Sequence, residues 1–267
     1  MTDVKRFYDE KAQYEWDRLE RHRTEFAVTM HVFRDYLPKP PATILDVGGG
    51  PGRYAIALAE QGYAVTLVDI SANCLEFAKA KAKEAGVALA GYVHADATDL
   101  EQFPSQSYDA VLLMGPLYHL LTKKKRERAL GEAKRVLKTT GLLFAAFITR
   151  YAPFRYAAKH EPDLILKQRQ RMKRLLATGI HKARVQEGEF TDAYFAHPSE
   201  IKPFIEKAGF ETLDLVACEG IISMIEEKVN ELTGELWEAW VELNYCLGKD
   251  PTVHGVAEHL LYVGRKK

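Results

Sequence analysis

The chain has no excess charge of either sign: 37 basic side chains stand against 37 acidic ones over 267 residues. Such a balance argues against a protein that as a whole seeks nucleic acid. Cysteine is scarce. Cys74, Cys218 and Cys246 are odd in number and have no metal-ligand spacing, so they read as reduced thiols of a cytoplasmic protein rather than a disulfide framework or a zinc site. No apolar run reaches membrane-spanning length, and Met1-Thr2-Asp3-Val4-Lys5-Arg6 leads into no apolar signal core. Internal repeats and low-complexity tracts are also missing. With 47% hydrophobic and 28% charged residues, the chain has ample material for one α/β domain with insertions.

The densest signal is Leu45-Asp46-Val47-Gly48-Gly49-Gly50-Pro51-Gly52. It reads as a buried strand, Ala42 to Val47, a glycine turn, and an amphipathic helix from Arg53 to Gln61. Glycine there lets backbone groups approach a ligand with no Cβ in the way. A dinucleotide fingerprint requires glycines at 48, 50 and 53, but position 53 is Arg. A second β-branched strand, Tyr63 to Asp69, ends in an acid roughly 20 residues beyond the turn, a placement suited to two ribose hydroxyls. Ser71 caps a helix that Gly86 stops after Ala85. Strands follow at Ala88 to Ala95, before Asp96-Ala97, and at Tyr108 to Met114, before Gly115-Pro116. A helix from Thr122 to Lys138 leads through Thr139-Thr140-Gly141 to a fifth strand, Leu142 to Ile148. Alternating strands and helices predict an α/β fold, a doubly wound and mostly parallel sheet with helices on both faces. The site lies at the strands' carboxyl ends.

The alternating glycines behind an acid, Asp-x-Gly-x-Gly-x-Gly, resemble the first motif of class I S-adenosylmethionine-dependent methyltransferases. The resemblance is strongest from Thr43 to Ile148 and implies a seven-stranded sheet whose final strand is antiparallel. It divides the chain into a helical arm (1–37), a cofactor-binding core (38–149), an inserted cap (150–198) and a C-terminal completion of the sheet (199–267). That last part holds a strand at Phe210 to Ala217, a long helix at Ile221 to Leu247 and a strand at Glu258 to Arg265. The resemblance also implies S-adenosyl-L-methionine as cofactor. Gly48, Gly50 and Gly52 with Asp46 would form the turn at its amino acid end. Asp69, with Ile70 beside it, would take the ribose, Asp96 and the N–H of Ala97 the adenine, and Met114 would lie near the sulfonium. The aromatic-rich arm resembles one that folds over the cofactor in small-molecule members of the family. Tyr14 and Arg23 are its candidates for the methionine end, while Phe26, Met30 and Phe33 are spaced for packing.

Substrate choice is expected outside the sheet. Met114-Gly115-Pro116-Leu117-Tyr118-His119 lacks both the Asn/Asp-Pro-Pro-Tyr of amino-methyltransferases and the Pro-Cys of cytosine-C5 enzymes. It resembles small-molecule members. His119 sits where a base could reach an acceptor proton, and a histidine one turn into an element also serves packing. The cap's first half carries Arg150, Arg155, Lys159, Lys167, Arg169, Arg171, Lys173, Arg174, Lys182 and Arg184 against Glu161 and Asp163. That run is either a solvated face or a lure for an anionic acceptor. Arg150, Tyr194 and His197 join His119 as catalytic candidates, with Tyr151 a further cap residue to test. The expected function is methyl transfer to a small metabolite at O, N or C by a monomer or homodimer. The Leu-Asp-x-Gly-Gly-Gly-x-Gly motif and the tail from Glu242 loosely resemble enzymes that methylate a modified wobble uridine of tRNA. That leaves tRNA as an alternative acceptor, and cofactor sensing without transfer as a third reading.

Overall fold

The computed structural model describes residues 3–183 and 190–267; Arg184, the last of the basic run, lies outside them. Three helices open the chain: α1 (Asp3–Glu10), α2 (Ala12–Arg21) and α3 (Arg23–Tyr36). The core then alternates β1 (Thr43–Val47), α4 (Arg53–Glu60), β2 (Ala64–Asp69), α5 (Ala72–Glu84), β3 (Gly91–His94), β4 (Tyr108–Leu113), the single turn α6 (Pro116–His119), α7 (Lys123–Val136) and β5 (Leu137–Ile148). The cap holds α8 (Ala152–His160), α9 (Leu164–Lys167), α10 (Arg169–Thr178) and a two-residue ladder, β6 (Ile180–His181) with β7 (Ala193–Tyr194). The chain ends with α11 (Pro198–Lys207), β8 (Phe210–Ala217), α12 (Glu226–Asn230), α13 (Gly234–Gly248) and β9 (His259–Lys266).

Seven strands form one sheet in the order β3-β2-β1-β4-β5-β9-β8, with β9 running antiparallel between β5 and β8. The central strands are apolar on both sides because helices cover both faces. Ile44, Leu67, Ala110, Leu112 and Phe144 pack on one face under α3 and α4. Leu45, Val68, Val111, Leu113 and Ala145 pack on the other. The order of β1 and β4 reverses the direction in which the sheet is built, which opens a crevice at their carboxyl ends.

Two elements depart from the sequence reading. The helix expected from Ile221 to Leu247 is instead a 3₁₀ turn at Gly220–Ile225, then α12, then α13. Its break falls at Thr233-Gly234, where Gly234 has φ +59°, a conformation that ends one helix and starts the next at a new angle. In turn, β5 starts five residues early. Leu137 pairs with Tyr108 before a register shift, so Thr139-Thr140-Gly141 is strand rather than linker.

Candidate active site

A cavity of about 410 Å³ opens where the carboxyl ends of β1, β2, β3 and β4 face the N-terminal arm. The glycine turn forms its floor. Gly48 and Gly50 have φ of +71° and +55°, a region that glycine enters without steric cost. A Cβ on Gly48 would lie 2.6 Å from the Pro116 side chain, so the turn packs directly against the start of α6. Around Gly50 nothing lies within 4 Å of that position, which leaves its backbone open to a ligand. Gly52, with φ +82°, belongs to packing instead: its added Cβ would meet Ala78 at 3.0 Å, and it is absent from the cavity wall.

Asp69 fixes this floor. The N–H of Gly50 donates to its Oδ2 and the N–H of Ser71 to its Oδ1, each at 2.8 Å. The carboxylate also lines the cavity, with lone pairs left for a ligand. Asp96 lines it too, and its Oδ1 accepts from the N–H and hydroxyl of Thr98, both at 2.8 Å. Gly48, Ile70, Ala97 and Met114 complete the set of core residues that the structure gathers on this wall. Asp46 stands apart, fully buried beneath the turn, and neither carboxyl oxygen has a hydrogen-bond partner among the described residues. Burial, aided by the nearby Asp69 charge, pushes it up to about 7.

The arm forms one wall of the cavity, but through residues other than those expected. Val4 and Tyr8 of α1 and Glu15, Arg18 and Leu19 of α2 line it. The spacing of 15, 18 and 19 puts them on one helical face. Tyr14 is about 100° round the helix from Glu15 and is 53% exposed, with Arg21 over its ring. Arg23 falls beyond the break at His22, and its guanidinium donates to the carbonyls of Asn230 and Leu232 while resting on Trp237. Neither lines the cavity. Arg53, standing where a dinucleotide site needs glycine, lines it while stacked on Trp16 and paired with Glu20 at 3.2 Å.

Of the four catalytic candidates, only His119 lines the cavity. Its Nε2 lies 2.8 Å from the Tyr8 hydroxyl, and its Nδ1 lies 3.1 Å from Thr191 Oγ1 and 3.4 Å from the Asp192 carbonyl. Burial drops the imidazole to about 4, so it is neutral at pH 7. In that state, with the proton on Nδ1, Tyr8 donates to Nε2 and Nδ1–H donates to Thr191 Oγ1, whose hydroxyl donates to the Asp192 carbonyl at 3.0 Å, so the ring latches arm to cap. The other three are held by contacts away from the cavity. Arg150 pairs with Glu200 at 3.3 Å. Tyr194 donates to the same Glu200 and lies under the Arg126 guanidinium. His197 caps α11, and its Nε2 is 2.9 Å from the Tyr151 hydroxyl.

Much of the basic run is likewise tied down. Lys159, Lys167 and Lys182 pair with Glu227, Asp163 and Asp192. Sequence reasoning passed over Tyr8, Glu15, Arg18, Tyr54 and Tyr118, all on the cavity wall. The helical spacing from Glu15 to Leu19 was the available signal. Arg18 is bidentate to Glu25, at 2.6 and 3.1 Å, while burial raises the Glu15 carboxyl above its usual range.

Residues 44–141 match a family described as a methyltransferase domain. An uncharacterized methyltransferase of Bacillus subtilis is 33% identical over 124 residues, 46% of this chain and 50% of that one. The ubiquinone biosynthesis O-methyltransferase of Pseudomonas paraeruginosa is 30% identical over 175 residues, 65% of this chain and 66% of its own length. The chain spans between 40% and 50% of the length of the first curated relatives it matches. Among solved structures, the 1,6-didemethyltoxoflavin-N1-methyltransferase of Burkholderia thailandensis, with 1,6-didemethyltoxoflavin and S-adenosylhomocysteine bound, superposes with a TM-score of 0.60. It has 15% identity, and the match covers 99% of this chain and 87% of that one.

Proposed function

We propose that this chain, which belongs to the class I S-adenosylmethionine-dependent methyltransferases, transfers a methyl group to a small metabolite. The observation that carries the reading is the cavity between the strands' carboxyl ends and the arm. An arm packed over an open-backed glycine turn leaves about 410 Å³, within the range of small-molecule sites. The names of the ubiquinone-pathway and toxoflavin enzymes support a small acceptor.

The residues present fit the cofactor. The Asp69 carboxylate has lone pairs for the ribose hydroxyls, and Asp96 with Ala97 is in place for adenine beside Ile70. Gly48, with the arm cation Arg18 in the place expected of Arg23, suits the amino acid end. When bound, the cofactor supplies a methyl group already activated by a positive sulfur. The protein's part is to align the acceptor in line with the breaking bond and to exclude water. Orientation of this kind supplies roughly 7–11 kcal/mol of a barrier. Val4, Tyr8 and Leu19 of the arm and Tyr118 of α6 line the cavity, and the Tyr8 hydroxyl is 2.8 Å from His119 Nε2. Where the acceptor must lose a proton, Glu15 is the better-tuned group. It is a cavity-wall carboxylate raised by burial, whereas a buried imidazole at about 4 is a weak base at pH 7.

Incubation of the protein with radiolabelled cofactor and cell extract, before and after ribonuclease treatment, tests the acceptor class. Label in the small-molecule fraction that survives ribonuclease supports the reading; label confined to RNA overturns it.

A further inference from the structure

One part of the cap's basic run is not neutralised by the fold. From Leu164 to Ala183 the chain holds six basic residues and no acid, within a sequence whose charges balance. Lys167 and Lys182 pair with Asp163 and Asp192, and Arg171 donates to the Gln168 side chain and the Lys182 carbonyl. Arg169, Lys173 and Arg174 are exposed and form no ion pair among the described residues. Apolar side chains stand beside them. Ile165 and Leu176 are each 51% exposed and Leu166 is 76% exposed. Gln168 bends the chain between α9 and α10, yet its N–H donates to Leu164 and its carbonyl accepts from Met172, so helical spacing carries through the junction. Ile165, Arg169, Lys173 and Leu176 follow one another at helical intervals, which sets them in one row. Met172 and Leu175, on another side of α10, are buried in the cluster that contains Tyr118, a wall of the cavity.

Cations and half-exposed aliphatic side chains along one row match the boundary between water and lipid. Each kind of side chain has its own counterpart there. Anionic headgroups attract Arg169, Lys173 and Arg174, and each cation near such a surface strengthens binding roughly fivefold. Their long stems lie along apolar surface while the charged ends stay among the headgroups. Ile165, Leu166 and Leu176 reach between the headgroups, where apolar area leaves water. A folded RNA would satisfy the cations through its phosphates and leave the aliphatic side chains nothing to bury against. No described helix is long and apolar enough to cross a membrane, so the contact is one with the surface.

We propose that the outer row of α9 and α10 docks this protein on an anionic lipid surface. The inference stands apart from the methyl-transfer reading, because none of these six residues lines the cavity. The test is cosedimentation of the full chain with vesicles of phosphatidylcholine alone and of equimolar phosphatidylcholine and phosphatidylglycerol. Wild type is compared with Arg169→Glu/Lys173→Glu/Arg174→Glu and with Ile165→Ser/Leu166→Ser. Lys123→Glu/Lys124→Glu, at the exposed start of α7, serves as a control. Every changed side chain is exposed, and melting temperatures check that the variants fold. Wild type is expected to sediment with the anionic vesicles and to stay in solution with phosphatidylcholine alone. Charge reversal in the row should weaken vesicle binding at least about a hundredfold, as three cations imply. Loss of the two aliphatic side chains should weaken it about tenfold, and the α7 control should bind as wild type does. Failure of wild type to sediment with anionic vesicles overturns the proposal, as does an equal loss in the α7 control. Binding unaltered in Ile165→Ser/Leu166→Ser also overturns it, since the row would then be a surface for any polyanion. Release of wild type from the vesicles by tRNA at equal phosphate concentration would assign the row to nucleic acid instead.

Discussion

Replacing Asp46 by Asn should make the ligand-free protein more stable at neutral and alkaline pH, and hardly more stable in acid. The side chain is wholly buried with both oxygens unpartnered, and its pKa rises from 3.8 to about 7 through burial and then through the Asp69 charge. In the unfolded chain the group ionises near 3.8; in the folded protein it keeps its proton until about 7. Between these values the folded state binds more protons, so stability falls as pH rises. A shift of that size corresponds to about 4 kcal/mol, since each unit is worth about 1.36 kcal/mol. Asn resembles the protonated acid in shape and cannot ionise. Urea unfolding at half-unit steps from pH 4 to 8 therefore should show the two proteins together at the acid end and diverging toward pH 7, with Asp46→Asn higher. Parallel curves, or a mutant less stable at pH 8, would refute an unpaired buried acid under the turn.

His259 should act with its own window. Burial opposes its charge but Glu25 and Glu219 outweigh burial and raise it to about 9. Its contribution, about 3 kcal/mol, is fully present below pH 6.5 and lost as pH climbs through 9, so His259→Gln should flatten the alkaline limb of the stability curve. Tyr8→Phe and His119→Ala each undo the latch. Both should weaken cofactor binding several-fold, as one hydrogen bond of about 1 kcal/mol implies, and leave turnover at saturation flat between pH 6 and 8. A wild-type turnover rate that titrates on a group near 6.5, with both that limb and the rate lost in His119→Ala, would restore the histidine as a base.

The sheet was legible because its signals are local. Glycines with positive φ, an acid at the end of each of β2 and β3's following turn, and β-branched runs between caps are all dictated by neighbours in sequence. Within the core set, Gly48, Gly50, Asp69, Ile70, Asp96, Ala97 and Met114 all follow directly on strand ends, so finding the strands placed them on one wall. The arm was less legible, since helical spacing gives a face but not which face turns inward. Tyr14 and Arg23 came from the arm's resemblance to that of small-molecule methyltransferases, while the inward face holds Glu15, Arg18 and Leu19. The cap was least legible. Whether a basic residue is free depends on carboxylates distant in sequence, such as Glu200 for Arg150 and Glu227 for Lys159.

The most direct measurement is calorimetric titration of S-adenosylhomocysteine and, separately, NAD into wild type and Asp69→Ala. S-adenosylhomocysteine should bind wild type, because Asp69 both supports the turn through Gly50 and faces the cavity. Loss of that carboxylate should weaken binding at least about tenfold, as removal of hydrogen bonds to a charged group worth roughly 1.5–3 kcal/mol each implies. NAD should give no heat with either protein, since Arg53 occupies the position where a pyrophosphate site needs glycine. Binding of NAD without S-adenosylhomocysteine, or unchanged affinity in Asp69→Ala, would contradict the assignment of this cavity to the methyl donor.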